Sequence, residues 1–176
     1  MNLQKLFTAQ AELDVYIEDK HPTLPGENRL EKKVLALLVE LGECANEFRG
    51  FKFWSNDQEP RTTLYQNINF KKVKTNPLLE EYVDCLHFIL SIGNDKGTRV
   101  IEYYDDDYEP KTIEERFINV SLYAQGVLTA QSVEYHKKLM GAFIDLGNSL
   151  GFIEEQIEQA YWTKYEINKQ RQRDGY

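Results

Sequence analysis

The sequence predicts an all-α fold, a helical bundle of about five to seven helices. Three observations support this. Apolar residues recur at three- and four-residue intervals, as in Leu30, Val34, Leu37, Leu41, Ala45 and Phe48, the period of a helix with one buried face. Proline falls between such stretches and not inside them, as in HPTLPGEN and at Pro77, with Gly50 marking another stop. The composition is globular, with 41% hydrophobic and 12% aromatic residues in 176, enough for one domain with a sizeable core.

The first helix is expected from Asn2, its cap, to about Lys20, with Leu3, Leu6, Phe7, Leu13 and Ile17 on its apolar face. Gln10 and Asp14 lie one turn apart on one side of it. His21-Pro22 ends it, because a residue before proline is pushed out of the helical region. A second helix is expected over about Glu27–Arg49, stopped by Gly50. Residues 51–76 show no long periodic pattern and read as a loop, with a short helix or turn around Leu64–Asn69. A loop of that length is uncommon and often functional. Pro77 opens a third helix, PLLEEYVDCLHFILSIGND. Then come a turn-rich acidic segment with the strand-like VIEYY, and helices over about Ile113–Tyr123 and Thr129–Leu150. Their packing stripes read as Phe117, Val120, Leu122 and Val133, Leu139, Phe143, Leu146. The last helix is expected over about Ile153–Arg173.

Charge narrows the function classes. With 29 acidic against 21 basic residues and a net charge of −8, broad nucleic-acid binding is disfavoured, since it needs a positive surface. No apolar run approaches the ~18 residues of a membrane span, and the N-terminal residues lack a signal peptide's apolar stretch. A cytoplasmic protein is expected. Cys44 and Cys85 fit no zinc or CxxC spacing and read as small core residues.

Glu40, Glu43 and Glu47 stand at i, i+3 and i+7, on one stripe of the second helix. Their mutual repulsion calls for a cation or for plain solvation. Glu81 and Asp84 form a second acidic pair on the third helix, Asp84 closely flanked by Val83, Cys85 and Leu86, where a buried carboxylate needs a partner. Should the two helices pack side by side, four carboxylates converge, the oxygen-rich donor set that suits Mg²⁺. The run Asp105–Asp107 reads as a solvated loop, because consecutive residues cannot all face one ion. Along the last helix, Ile153, Ile157, Ala160, Lys164, Asn168, Arg171 and Gly175 share one stripe. It turns from apolar to cationic, as in a helix that lines a polar cavity or one whose end leaves the protein. Lys164 and Arg171, with Lys52 from the loop, suit phosphates. Trp54 and Phe88 offer flat surfaces to a base, and Gln10 carries both a donor and an acceptor. His87 reads as a helix-face or supporting residue, since Mg²⁺ favours oxygen over imidazole.

These motifs carry a resemblance. ELGE at Glu40–Glu43 and EYVD at Glu81–Asp84 resemble the paired acidic motifs of the all-α nucleoside triphosphate pyrophosphatases. Gln10 with Leu13 and Asp14, the block FKFW, HFILS directly after EYVD, and the ending YWTKYEINKQRQRDGY are similar to the dimeric dUTPases. The resemblance implies a homodimeric enzyme hydrolysing dUTP, and dUDP as well, to dUMP, which limits uracil incorporation into DNA. Mg²⁺, with Mn²⁺ as a substitute, would be held by Glu40, Glu43, Glu81 and Asp84. Water attacks a phosphorus in such enzymes, and Glu40 is assigned to orient or deprotonate it. Gln10, Trp54 and Asn168 would hold the uracil, Phe88 would lie near the deoxyribose, and Lys52, Lys164 and Arg171 would neutralise phosphates. Tyr176 would close over the nucleotide. Residues 98–125 match no motif and read as a lineage-specific insertion or altered helical region. Asp14 stands where an amide would serve a base more obviously. The rival readings are a pyrophosphatase for dCTP or a modified nucleotide, and a non-catalytic helical binding module.

Overall fold

A computed structural model describes residues 1–68, 71–98, 110–129 and 133–175. VIEYY, Asp105–Asp107 and Tyr176 lie outside these described residues. Six helices are described: α1 (Leu3–Lys20), α2 (Arg29–Phe48), α3 (Pro77–Asp95), α4 (Ile113–Thr129), α5 (Val133–Ser149) and α6 (Glu154–Arg173). The all-α expectation holds.

Helix starts follow their caps. The Asn2 side chain accepts from the Lys5 amide at 3.0 Å, Asn28 from Glu31 at 3.3 Å, and Asn76 from Leu79 at 3.2 Å. Each satisfies an amide that the first turn leaves without a partner. Asn28, not Glu27, therefore sets the start of α2. Replacing Asn76 with Ala should cost about 1 kcal/mol, read as a lower denaturation midpoint at unchanged m-value; no shift would mean that the cap is not what fixes this helix start.

Gly50 is not the left-handed stop at the end of α2. Arg49 itself takes the left-handed conformation, φ 65°. Its guanidinium donates to the Asp57 carbonyl at 3.0 and 2.8 Å and meets the Asp57 carboxylate at 2.9 Å, which holds the strained residue in place. Gly50 serves packing, since a Cβ there would fall 2.4 Å from the Phe48 ring.

The expected helix or turn near Leu64–Asn69 is instead the strand β1 (Leu64–Ile68), antiparallel to β2 (Lys71–Thr75), with Leu64 opposite Thr75 and Ile68 opposite Lys71. Tyr65, Ile68, Val73 and Thr75 are residues with strong strand preference. In a piece this short the preference is easily taken for a loop. The fourth helix runs six residues past its expected end because Ala124 and Val127 continue the buried stripe of Phe117 and Val120. Gly126 does not stop it: the Tyr135 ring from α5 lies where its Cβ would be, at 2.4 Å. Leu122 and Val133, expected to pack, are exposed.

At the centre is α3, which touches α1, α2, α5 and α6. It buries residues on nearly every side, among them Tyr82, Val83, Leu86, Ile89, Leu90 and Ile92, as a helix with neighbours all round must. Tyr82 stacks on Phe143 of α5 (centroids 4.1 Å apart, planes at 11°), and its hydroxyl donates to the Phe143 carbonyl at 3.0 Å. With α2 and α6 both against α3, the two acidic pairs and the cationic stripe meet at one place.

Candidate active site

Glu40 and Glu43 rise one turn apart from α2, and Glu81 faces them from α3. One carboxylate oxygen from each lies within 4.8 Å of the others. Burial pushes the Glu81 carboxyl up to about 7, helped by the charges of Asp84, Glu43 and Glu40. Glu40 is raised for the same reasons, burial first and then Asp84 and Glu43. Three oxygen donors that repel one another, with two reluctant to ionise, fit a hard divalent cation. The fourth carboxylate of the sequence set, Asp84, turns to Lys164 of α6 at 2.5 Å. Its carboxyl is raised by burial, against which the Lys164 hydrogen bond acts. So the structure gathers three of the four and ties the fourth to the cationic stripe.

Beside this cluster a cavity of about 610 Å³ opens between α1, α2, α3 and α6. Gln10, Glu40, Asp84, Phe88, Lys164, Asn168 and Arg171 all line it. Of the two expectations for the stripe on α6, lining a cavity is the one observed, although its first residue, Ile153, is exposed. Lys33 and Asp95, paired at 2.6 Å, also line the cavity and were not singled out from the sequence. A signal for Lys33 exists: Arg29, Lys33, Ala36, Glu40 and Glu43 fall at spacings of four and three, one stripe of α2.

The inner wall of the cavity is polar and buried. Gln10, 3% exposed, donates through Nε2 to Asp14 Oδ1 at 2.8 Å, and its Oε1 lies 2.7 Å from His87 Nδ1 and 3.2 Å from the Tyr161 hydroxyl. Burial lowers the His87 imidazole to about 3, so it is neutral at physiological pH. His87 contacts Gln10 and is not part of the carboxylate cluster. Tyr161, the first residue of the C-terminal motif YWTKYEINKQRQRDGY, has no role assigned from the sequence and sits three residues before Lys164 on the same helix.

Two expected site residues are not brought in. Lys52 and Trp54 do not line the cavity of their own chain. Trp54 is 65% exposed and meets Phe51 and Phe53 edge-on. The left-handed turn at Arg49 and its grip on Asp57 direct this block elsewhere. Glu47 pairs with Arg61 at 3.6 Å and anchors the loop in place of a metal.

A comparison with curated proteins finds none that matches. A family model described as dUTPase matches residues 2–176, the same family that the paired acidic motifs and the C-terminal motif resemble. The chain belongs to the dimeric dUTPase family and is a dUTP diphosphatase, a hydrolase of nucleotide metabolism.

Proposed function

We propose that the chain, acting as one domain, hydrolyses dUTP, and dUDP as well, to dUMP in the cytoplasm with Mg²⁺, so limiting uracil incorporation into DNA. The observation that carries this is the convergence of Glu40, Glu43 and Glu81 within 4.8 Å beside a cavity lined by Lys164, Asn168 and Arg171. Glu40, Glu43 and Glu81 would hold Mg²⁺ or Mn²⁺, with Asp84 as fourth ligand; the ion supplies charge neutralisation at the phosphates and polarises water. Glu40, with its raised carboxyl and its place on the cavity wall, is the group suited to take a proton from attacking water. Lys164 and Arg171 neutralise phosphate oxygens, Gln10 and Asn168 hold the base, and Phe88 packs against the sugar. The free, buried Cys44 and Cys85 suit a reducing compartment, and no described helix is long and apolar enough to cross a membrane.

The chain assembles as a homodimer in this reading. Phe53 and Trp54, 87% and 65% exposed, give an aromatic surface that a second copy would cover. Sedimentation should show a dimer, and a monomer at micromolar concentration would contradict it. Pyrophosphate release across a panel of nucleoside triphosphates tests the substrate: dUTP should lead, and a preference for dCTP would overturn the assignment.

Proton linkage gives a second test. Glu81 binds its proton up to about pH 7 in the folded chain, whereas an ordinary glutamate loses it near 4.5. Between these values the folded state holds more protons than the unfolded one, so Glu81 makes the metal-free fold less stable as pH rises from 4.5 to 7. A cation must displace that proton. Mg²⁺ affinity should therefore drop about tenfold per pH unit below 7 and level off above it. Calorimetric titration at pH 6, 7 and 8 checks this, and an affinity constant across the range would contradict it.

A further inference from the structure

We propose that His87 and Tyr161 are specificity-determining positioning residues: they hold the Gln10 amide in one orientation, its NH₂ towards Asp14 and the cavity, so that a ligand base meets a donor beside an acceptor. The specificity part rests on the cavity holding a nucleotide base, as proposed above; the orientation itself does not.

A glutamine amide can sit in two ways, half a turn apart. Here the reverse orientation would set Oε1 against the Asp14 carboxylate at 2.8 Å, acceptor facing acceptor. In the observed one Oε1 has the His87 Nδ1 at 2.7 Å and the Tyr161 hydroxyl at 3.2 Å. Because Oε1 can only accept, the single proton of the neutral His87 ring lies on Nδ1. The two clamping rings form one unit, stacked with centroids 4.3 Å apart and planes at 18°. Tyr161 is fully buried, and its hydroxyl also lies 3.3 Å from the Leu6 carbonyl of α1. The Gln10 oxygen thus accepts from His87 and shares the single Tyr161 proton with the Leu6 carbonyl, so both of its neighbours on this side are donors.

What remains for the cavity is the second Nε2 hydrogen and Asp14, whose Oδ2 is buried without a hydrogen bond. Both residues line the cavity. A donor next to an acceptor complements a lactam edge, a carbonyl beside an N–H, as in uracil. Cytosine seated the same way would turn its N3 lone pair to the carboxylate and its amino group to the NH₂. Without the clamp, only the contact with Asp14 would hold the amide this way round, and its NH₂ could swing away from the base. The clamp removes that freedom.

The test uses the full chain and two readouts. Calorimetry measures dUMP against dCMP binding, and kinetics compares dUTP with dCTP. His87→Phe with Tyr161→Phe keeps both rings and removes both donors. The dUMP:dCMP affinity ratio should fall at least about tenfold, with the kinetic loss in KM more than in kcat. His87→Asn, which can still donate to Gln10, should restore most of the ratio, and in a Gln10→Ala background the double change should leave it unmoved. A ratio within twofold of wild type in a double variant that melts normally would overturn the proposal. Should the double variant not fold, Tyr161→Phe alone, expected to cut the ratio about threefold or more, decides the same point. Independently of any ligand, ¹⁵N NMR should show the His87 proton on Nδ1 from pH 5 to 8; a proton on Nε2 would overturn the clamp. A wild-type chain that binds neither monophosphate, or prefers dCMP, contradicts the base assignment, and the NMR result then decides the clamp by itself.

Discussion

Replacing Glu43 with Gln should lower dUTP turnover by about 10²- to 10³-fold while the fold survives. Glu43 is exposed on α2 and supplies one of the three oxygens that meet within 4.8 Å. Gln keeps the shape and one oxygen but removes the charge, so affinity for a divalent cation drops while nothing in the core is disturbed. The metal-free protein should lose no stability, because one repelling charge near Glu40 and Glu81 is gone. Steady-state kinetics over a Mg²⁺ titration, together with a thermal melt, separates the two effects. Unchanged turnover at limiting Mg²⁺ would remove Glu43 from the site.

The largest effect on stability is expected from Phe143→Ala, about 3–5 kcal/mol. Phe143 is 1% exposed and stacks on Tyr82, itself fully buried. Truncation leaves a void against the central helix that the surrounding helices cannot readily fill, since Gly147 on α5 already lies so close to Tyr82 that a Cβ would come within 2.3 Å of its hydroxyl. A domain's whole stability is only about 5–15 kcal/mol. Urea denaturation should show a far lower midpoint at unchanged m-value, and a loss below about 1 kcal/mol would mean that this stack is not central to the core.

The helices were legible because burial imposes its period on the sequence. α3 was read to the residue, with Pro77 at its start and the NDKG turn at its end. What escaped was set by contacts between distant segments. Nothing local says that Arg49 will grip Asp57 and turn left-handed, or that Tyr135 will lie on Gly126 and let α4 continue. The site divides the same way. Glu40, Glu43 and Glu81 could be paired from spacing, since i and i+3 on two helices leave few ways to meet. The salt bridge from Lys164 to Asp84 and the Gln10–His87–Tyr161 cluster join three helices and exist only after packing. Lys52 and Trp54 show the limit of adjacency, because following Glu40 and Glu43 in sequence does not put them in the cavity beside those residues.

The most direct test of the central claim is pyrophosphate release from dUTP by the wild-type chain as Mg²⁺ is titrated from a chelated start. The structure predicts turnover that rises from background with Mg²⁺ and saturates, with dUMP and pyrophosphate as products. Equal turnover in the presence of chelator would contradict the assignment of Glu40, Glu43 and Glu81 as the groups that hold the ion.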